Sequence, residues 1–318
     1  YSHCVTIARS DNVFGPYETM PDNPLLTSDQ NDLTAIQKCG HGSFVETQNG
    51  EWYMAHLCSR PNSARGSLLG RETALQKITW QDGWPRLACG GKIAQNAVPA
   101  PKDLPEVELP AMAEQDNFDV PTLAPGYATP RTPLGDCVNL TVRPGWLRLY
   151  GGQTLSRHHK QTLFGRRWQH FAFTAKAKID FAPQNFQQVA GLVLFYDTCN
   201  WIYAYITWDE RINARTLQIL RCDFKDFSYG SEAVPLPDGE ISLKVCVNGA
   251  EAQFYYKADG GWQPLGDVQP ADHLSDDYVE TRRGRCAFTG AMVGICAQDM
   301  DAHQSHADFA CFDYEEQR

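Results

Sequence analysis

Hydrophobic and polar positions alternate with period two along most of this chain, and the alternation breaks at turn-forming residues. That pattern predicts an all-β protein. In the stretch from Lys38 to Trp84, residues Ser43 to Gln48 alternate, Asn49-Gly50 makes a hairpin turn, and Glu51 to Leu57 returns. A third strand starts at Leu69 to Thr73, where Arg71 sits, and ends at Trp80. Asp82-Gly83 then turns the chain into Trp84-Pro85. Strands in meander with an aromatic-flanked turn are the pattern of one β-propeller blade. Upstream, Val5 to Ala8 reads as a short strand, Asp11 to Asn23 as a turn-rich loop, and Asn31 to Lys38 as a short turn.

The second half alternates over longer runs. Phe171, Phe173, Ala175, Ala177 and Ile179 fall on one face of a strand, with Lys176 and Lys178 on the other. Ile241, Leu243, Val245 and Val247 repeat this against Ser242 and Lys244. Ala190 to Tyr196 and Trp201 to Trp208 are apolar and aromatic on both faces, which predicts central strands. Many such strands joined by Gly, Asn and Asp turns predict an antiparallel sandwich. Between the halves, prolines at 99, 101, 105, 110, 121, 125, 130 and 133 favour extended chain and predict a linker. The expected organisation is propeller blades over 1–96, a proline-rich linker over 97–136 and a β-sandwich over 137–318.

A chain of 318 residues suits two domains. The net charge of −10 disfavours nucleic acid and anionic membrane surfaces as partners, and leaves neutral substrates such as sugars open. No run is long and apolar enough for a membrane span, and the first residues lack a signal-peptide layout. The 11 cysteines form no CxxC pair, so the expectation is free thiols in a reducing cytoplasm. The sequon at Asn139 to Thr141 is read as chance.

The runs GHGSFVETQNGEWYMAHL (Gly40 to Leu57) and LLGRETALQKITWQDGWP (Leu68 to Pro85) closely resemble the later blades of family 43 glycoside hydrolases, in the β-xylosidase branch. HCVTIARSDNVFGPYETMPDNPLL (His3 to Leu26) resembles the strand and loop just after that family's catalytic acid, and the C-terminal half resembles its appended jelly-roll sandwich. The resemblance implies a partial five-bladed β-propeller followed by a concanavalin A-like jelly roll. It also implies exo-acting, inverting release of xylose, with arabinofuranose as a second substrate, from short xylo-oligosaccharides. Inverting chemistry needs an acid and a base flanking the scissile bond. The motifs that carry both in the family would precede Tyr1, so no residue here is expected to be catalytic, and the chain alone is expected to be inactive. The implied partner is the N-terminal propeller portion of the same enzyme; a homo-oligomer is also expected.

Four residues are candidates for substrate contact. Arg71 matches the family's active-site arginine, whose fork of donors suits sugar hydroxyls and carboxylates; the plain alternative is an ion pair with Glu72. His41, between Gly40 and Gly42, matches a histidine on the propeller axis, delivered with Arg71 from adjacent strands. In some members that histidine adjoins a calcium ion, although an imidazole is a poor calcium ligand. No cofactor is required, and Ca2+ near His41 is the one metal expectation. Phe288 matches a sandwich-loop aromatic that reaches over the sugar pocket, against the alternative of a sandwich core residue. His3 closely follows the missing acid and is a pocket-lining candidate.

Weaker candidates have plainer readings. His303 and His306 resemble metal spacing but read as a solvated loop, and His158-His159 as an exposed turn. Trp201, Trp208 and Trp262 could line a lectin-like groove, with core packing as the default. The rival function is therefore a non-catalytic carbohydrate-binding sandwich, and a third is a truncated product that only oligomerises.

Overall fold

The computed structural model describes residues 3–29, 31, 35–284 and 286–317. The turn expected over Asn31 to Lys38 lies partly outside them. Two compact units are present: residues 1–61 with 69–110, and residues 62–68 with 111–318.

The first unit opens with four short strands, β1 (Cys4–Val5), β2 (Ala8–Arg9), β3 (Glu18–Thr19) and β4 (Leu26–Thr27), paired as β1 with β4 and β2 with β3. A four-stranded antiparallel meander follows: β5 (Gln37–Glu46), β6 (Trp52–Ser59), β7 (Glu72–Gln81) and β8 (Trp84–Leu87). This is the blade the alternation predicted, with a fourth strand beyond Asp82-Gly83. Both residues of that turn have positive φ, +51° and +73°, and Gln81 faces Trp84 across it. A two-residue loop of that kind matches the strand twist and favours Asp-Gly. At Asn49-Gly50 only the glycine is left-handed, and Thr47 closes a longer loop by donating to the Glu51 carbonyl at 2.8 Å. Met54, Cys58, Ile78 and Trp84 pack with Leu26 and Met20 to form this unit's core.

The second unit is a sandwich. One sheet runs β10 (Val138–Asn139), β11 (Leu147–Tyr150), β23 (His306–Glu316), β13 (Ala172–Asp180), β19 (Glu240–Asn248), β20 (Glu251–Lys257) and β21 (Gln263–Pro270), with β9 (Gln115–Asp116) also on β23. The other runs β12 (Thr162–Arg167), β22 (Met292–Asp299), β14 (Gln188–Asp197), β15 (Asn200–Asp209), β16 (Ala214–Asp223) and β17 (Asp226–Tyr229), with β18 (Val234–Pro235) also on β16. The alternation found in sequence becomes the core. Phe173, Ala175, Ala177 and Ile179 lie opposite Val247, Val245, Leu243 and Ile241, all of them buried. On the other face Lys176 pairs with Glu315 at 2.8 Å and Lys178 pairs with Glu240. As expected, β14 and β15 are interior strands of their sheet, buried on both faces.

The proline-rich stretch is not one uniform linker. Residues 97–110 cluster with the first unit and 111–136 with the second. Gln115 and Asp116 add a short strand to β23, and Phe118 is buried against Phe164. Prolines remove ladder donors, but they leave the intervening residues free to pair at a sheet edge.

Candidate functional site

The site in the first unit is built on an irregular strand. The β5–β6 register shifts between Gln37 and Gly40, and again between Gly40 and Ser43. Lys38 and His41 lie in these two irregular segments, with φ of +53° and +54°. Left-handed backbone is costly for residues with a Cβ and tends to persist at functional sites. A bulge takes a residue out of the pairing and re-aims its side chain. His41 is exposed, at the point where the buried first part of the strand gives way to an exposed set that continues with Ser43 and Val45.

The glycines flanking His41 have a steric role. A Cβ on Gly40 would lie 2.4 Å from the His3 ring, and one on Gly42 would lie 2.6 Å from Met54 Sδ. The close approach expected for a ligand is made by the protein's own side chains. His3 is held over Gly40 by a 3.0 Å contact from Nδ1 to the Lys38 carbonyl. A carbonyl only accepts, so Nδ1 carries the hydrogen, and a neutral His3 ring keeps its lone pair on Nε2. His3 and His41 are thus brought to the same segment of β5. Gly40→Ala is expected to push the His3 ring aside and break its bond to Lys38. The stability cost would be about 1 kcal/mol, read by thermal melting, with a changed His3 imidazole signal in NMR.

Arg71 is half-buried and follows Gly70, a glycine at φ +71°. The adjacent-strand expectation needs correction. Across the sheet Gly40 faces Leu57, and Leu57 faces Thr73, so β6 stands between His41 and Arg71. Each strand spacing is about 4.8 Å, so the two residues share one sheet but are not strand neighbours. Glu72, the alternative partner for Arg71, has both oxygens taken by Arg60, at 2.7 and 2.8 Å.

Phe288 lies in the loop before β22 and is 55% exposed, which excludes the core reading. Its loop is tied down by residues that the sequence analysis did not single out. Buried Asp276 accepts from the Gly290 N–H at 3.0 Å and from the Tyr196 hydroxyl at 2.8 Å. The Ala291 N–H donates to the Leu68 carbonyl at 2.8 Å, and Arg167 donates to the Thr289 carbonyl. Burial first, then the Asp276 carboxylate, pushes the Tyr196 hydroxyl well above its ordinary range. Asp276 begins the helix α1 (Asp276–Arg283), which was not foreseen although its signals are readable. Ser275 caps it, two aspartates open it, two arginines close it, and Gly284 ends it at φ +66°.

His158 and His159 are exposed and His303 is an exposed loop residue, as read, but His306 is not in a loop: it begins β23, opposite Tyr150. Among the described residues, no group of three or more His, Cys, Asp or Glu side chains is placed to hold a metal ion. Calcium prefers six to eight oxygens, and around Gly40 and His41 the side chain seen is an imidazole whose nearest carbonyl, that of Lys38, is already engaged. These residues alone do not fit a calcium site.

Residues 1–85 match the model of glycosyl hydrolases family 43, and residues 115–315 match that of the beta xylosidase C-terminal concanavalin A-like domain. The chain is 39% identical to a putative beta-xylosidase of Escherichia coli (strain K12) and 40% identical to a beta-xylosidase of Bacillus subtilis (strain 168). It is covered to 99% in both alignments and spans 61% of each relative's length. It is 32% identical to a non-reducing end alpha-L-arabinofuranosidase of Bacteroides ovatus, over 99% of this chain and 58% of that protein. The crystal structure of a xylan beta-1,4-xylosidase from Bacillus halodurans C-125 superposes with a TM-score of 0.92 at 40% identity, over 98% of this chain and 60% of that one.

Proposed function

The chain belongs to glycosyl hydrolase family 43, and from that membership we propose that it is part of an exo-acting β-xylosidase. The proposed reaction is inverting hydrolysis at the non-reducing end of short xylo-oligosaccharides in xylan degradation, with α-L-arabinofuranoside cleavage as a second activity. The observation that supports the reading is the coincidence of the family match over 1–85 with an irregular strand that carries His41 next to Gly40, against which the His3 ring lies, and with Arg71 on the same sheet. In this reading Arg71 donates hydrogen bonds to the sugar or to a catalytic carboxylate, while His41 and His3 line the sugar site. Phe288 is included as a sugar-contacting ring on the family resemblance alone. A calcium ion near His41 would have to be held mostly by water.

The acid and base are assigned to the part of the relatives' length that this chain does not span. The N-terminal propeller portion of the same enzyme is therefore the proposed partner, alongside self-association of the whole. All 11 cysteines are free thiols, which supports a reducing, cytoplasmic setting. No helix among the described residues is long and apolar enough to cross a membrane.

The test compares two samples on nitrophenyl β-xyloside. The complete enzyme should release nitrophenol and give α-xylose first, by NMR. The 318-residue chain alone should release none, since general acid–base catalysis requires both proton-transfer groups. Turnover by a contaminant-free sample of the chain would refute the assignment of acid and base to another segment.

A further inference from the structure

One face of the seven-stranded sheet carries a buried aromatic cluster in which Trp201, Tyr203 and Tyr205 pack with Val193, Phe195 and Leu163. Trp201, Tyr203 and Tyr205 alternate along β15 and so share one face. On β16 they lie beside Cys222, Leu220 and Gln218, and β17 continues the rows with Phe227 and Tyr229. This surface is concave and encloses about 470 Å3, within the range of about 300–1,000 Å3 usual for small-ligand sites.

Its chemistry is mixed in a specific way. The floor is aromatic, and Phe186, Phe227 and Tyr229 stand on it 62%, 56% and 65% exposed. Trp201 lines the groove and is buried, yet its indole N–H has no hydrogen-bond partner among the described residues. A buried donor left without a partner calls for an acceptor from outside. Neutral hydrogen-bonding groups line the groove farther along the strand: the Tyr205 hydroxyl donates to Gln218 Oε1 at 3.3 Å, and the Thr207 hydroxyl donates to the Phe186 and Gln188 carbonyls. The charges at the rim, Asp209, Glu210 and Arg211, include one tight pair, Asp209 with Arg211 at 2.7 Å. Exposed rings together with uncharged donors and acceptors match a ligand with an apolar C–H face and a girdle of hydroxyls. An anionic ligand would find no unpaired cation on this rim among the described residues.

We propose that this groove is a non-catalytic binding site for a neutral oligosaccharide, separate from the His41 and Arg71 site. Sugar rings would lie against Tyr229 and Phe227, and a hydroxyl would accept from the Trp201 indole. The groove belongs wholly to the second unit, so the inference stands whether or not the first unit takes part in catalysis.

The whole chain should be titrated with xylotriose to xylohexaose by calorimetry and by tryptophan fluorescence, since Trp201 and Trp208 line the groove. Saturable binding is expected, weakened at least tenfold by Tyr229→Ala and by Phe227→Ala. Both side chains are mostly exposed, so both variants should melt as the parent does. Phe186→Ala is a third variant should either of these fold poorly. Binding should persist in Arg71→Ala and His41→Ala, which separates this site from the proposed sugar site of the first unit. Absence of binding to any neutral xylo-, cello- or manno-oligosaccharide at millimolar concentration would overturn the proposal. So would binding that survives all three ring deletions, or binding lost in Arg71→Ala.

Discussion

Arg71→Ala in the complete enzyme is expected to lower kcat/KM on an aryl β-xyloside by about a hundredfold to a thousandfold, the usual effect of deleting one preorganised donor to developing charge. The neighbouring Glu72 is held in a two-bond fork by Arg60. Arg71 also enters the blade at the end of a loop, after left-handed Gly70, not from the middle of a packed ladder. Arg71→Lys discriminates further, because lysine keeps the charge and loses the planar fork. If the fork matters, the lysine variant recovers little of the lost activity. Both variants should keep the parent's melting temperature within a few degrees. A full loss of fold would make Arg71 structural, and unchanged kinetics would remove it from the proposed sugar site.

Much of the fold was readable because its causes are local. Asn49-Gly50 and Asp82-Gly83 carry the backbone freedom that tight hairpins need, and the residues around them alternate, so the blade follows from neighbours in sequence. The core alternation in β13 and β19 is readable for the same reason. The irregular segments at Lys38 and His41 were not, because a register shift is a relation between two strands and leaves no period in either. The order of strands at the site is equally hidden in the sequence. His41 and Arg71 are separated by a strand that the sequence contains but whose place between them depends on the meander. The proline-rich stretch was read by composition alone, which could not show Gln115-Asp116 finding an edge on β23 or Phe118 finding a hydrophobic niche. With β14 and β15, apolar character on both faces did signal an interior place in the sheet. It could not distinguish a face covered by the opposite sheet from one that forms an aromatic groove.

The largest effect on stability is expected from Asp308→Ala in the sandwich. Asp308 is 4% exposed on β23, directly opposite Arg148 on β11 and Asp180 on β13. Arg148 donates to both its oxygens, at 2.7 and 2.8 Å. Arg143 bridges it to Asp180, at 3.1 and 2.8 Å, with its guanidinium 3.6 Å from the Trp146 ring centre. Removing the buried carboxylate strips Arg148 of its acceptor and leaves Arg143 with Asp180, a change that costs about 3–5 kcal/mol. For a unit of this size that is a fall in Tm of roughly 6–20 °C.

The pH dependence has a definite sign. Burial works to raise the Asp308 carboxyl, but the hydrogen bonds from Arg148 and Arg143 outweigh it, and its pKa lies below the ordinary aspartate value. The unfolded chain therefore takes up this proton first as pH falls. The stabilisation is complete above the unfolded pKa of about 3.9 and is lost as pH drops through the depressed folded value. Asp299 contributes in the same window. Burial opposes its ionisation, and the N–H groups of Ser305, Asp301 and Gln304 prevail. Urea unfolding of the parent should weaken steeply below about pH 4. Asp308→Ala should be less stable at neutral pH and flatter in acid, keeping the share due to Asp299 and to the other lowered carboxyls, Glu51 and Asp209. A variant as stable as the parent at pH 7, or one with an unchanged acid limb, would mean that the Arg148–Asp308–Arg143 cluster contributes nothing net to this fold.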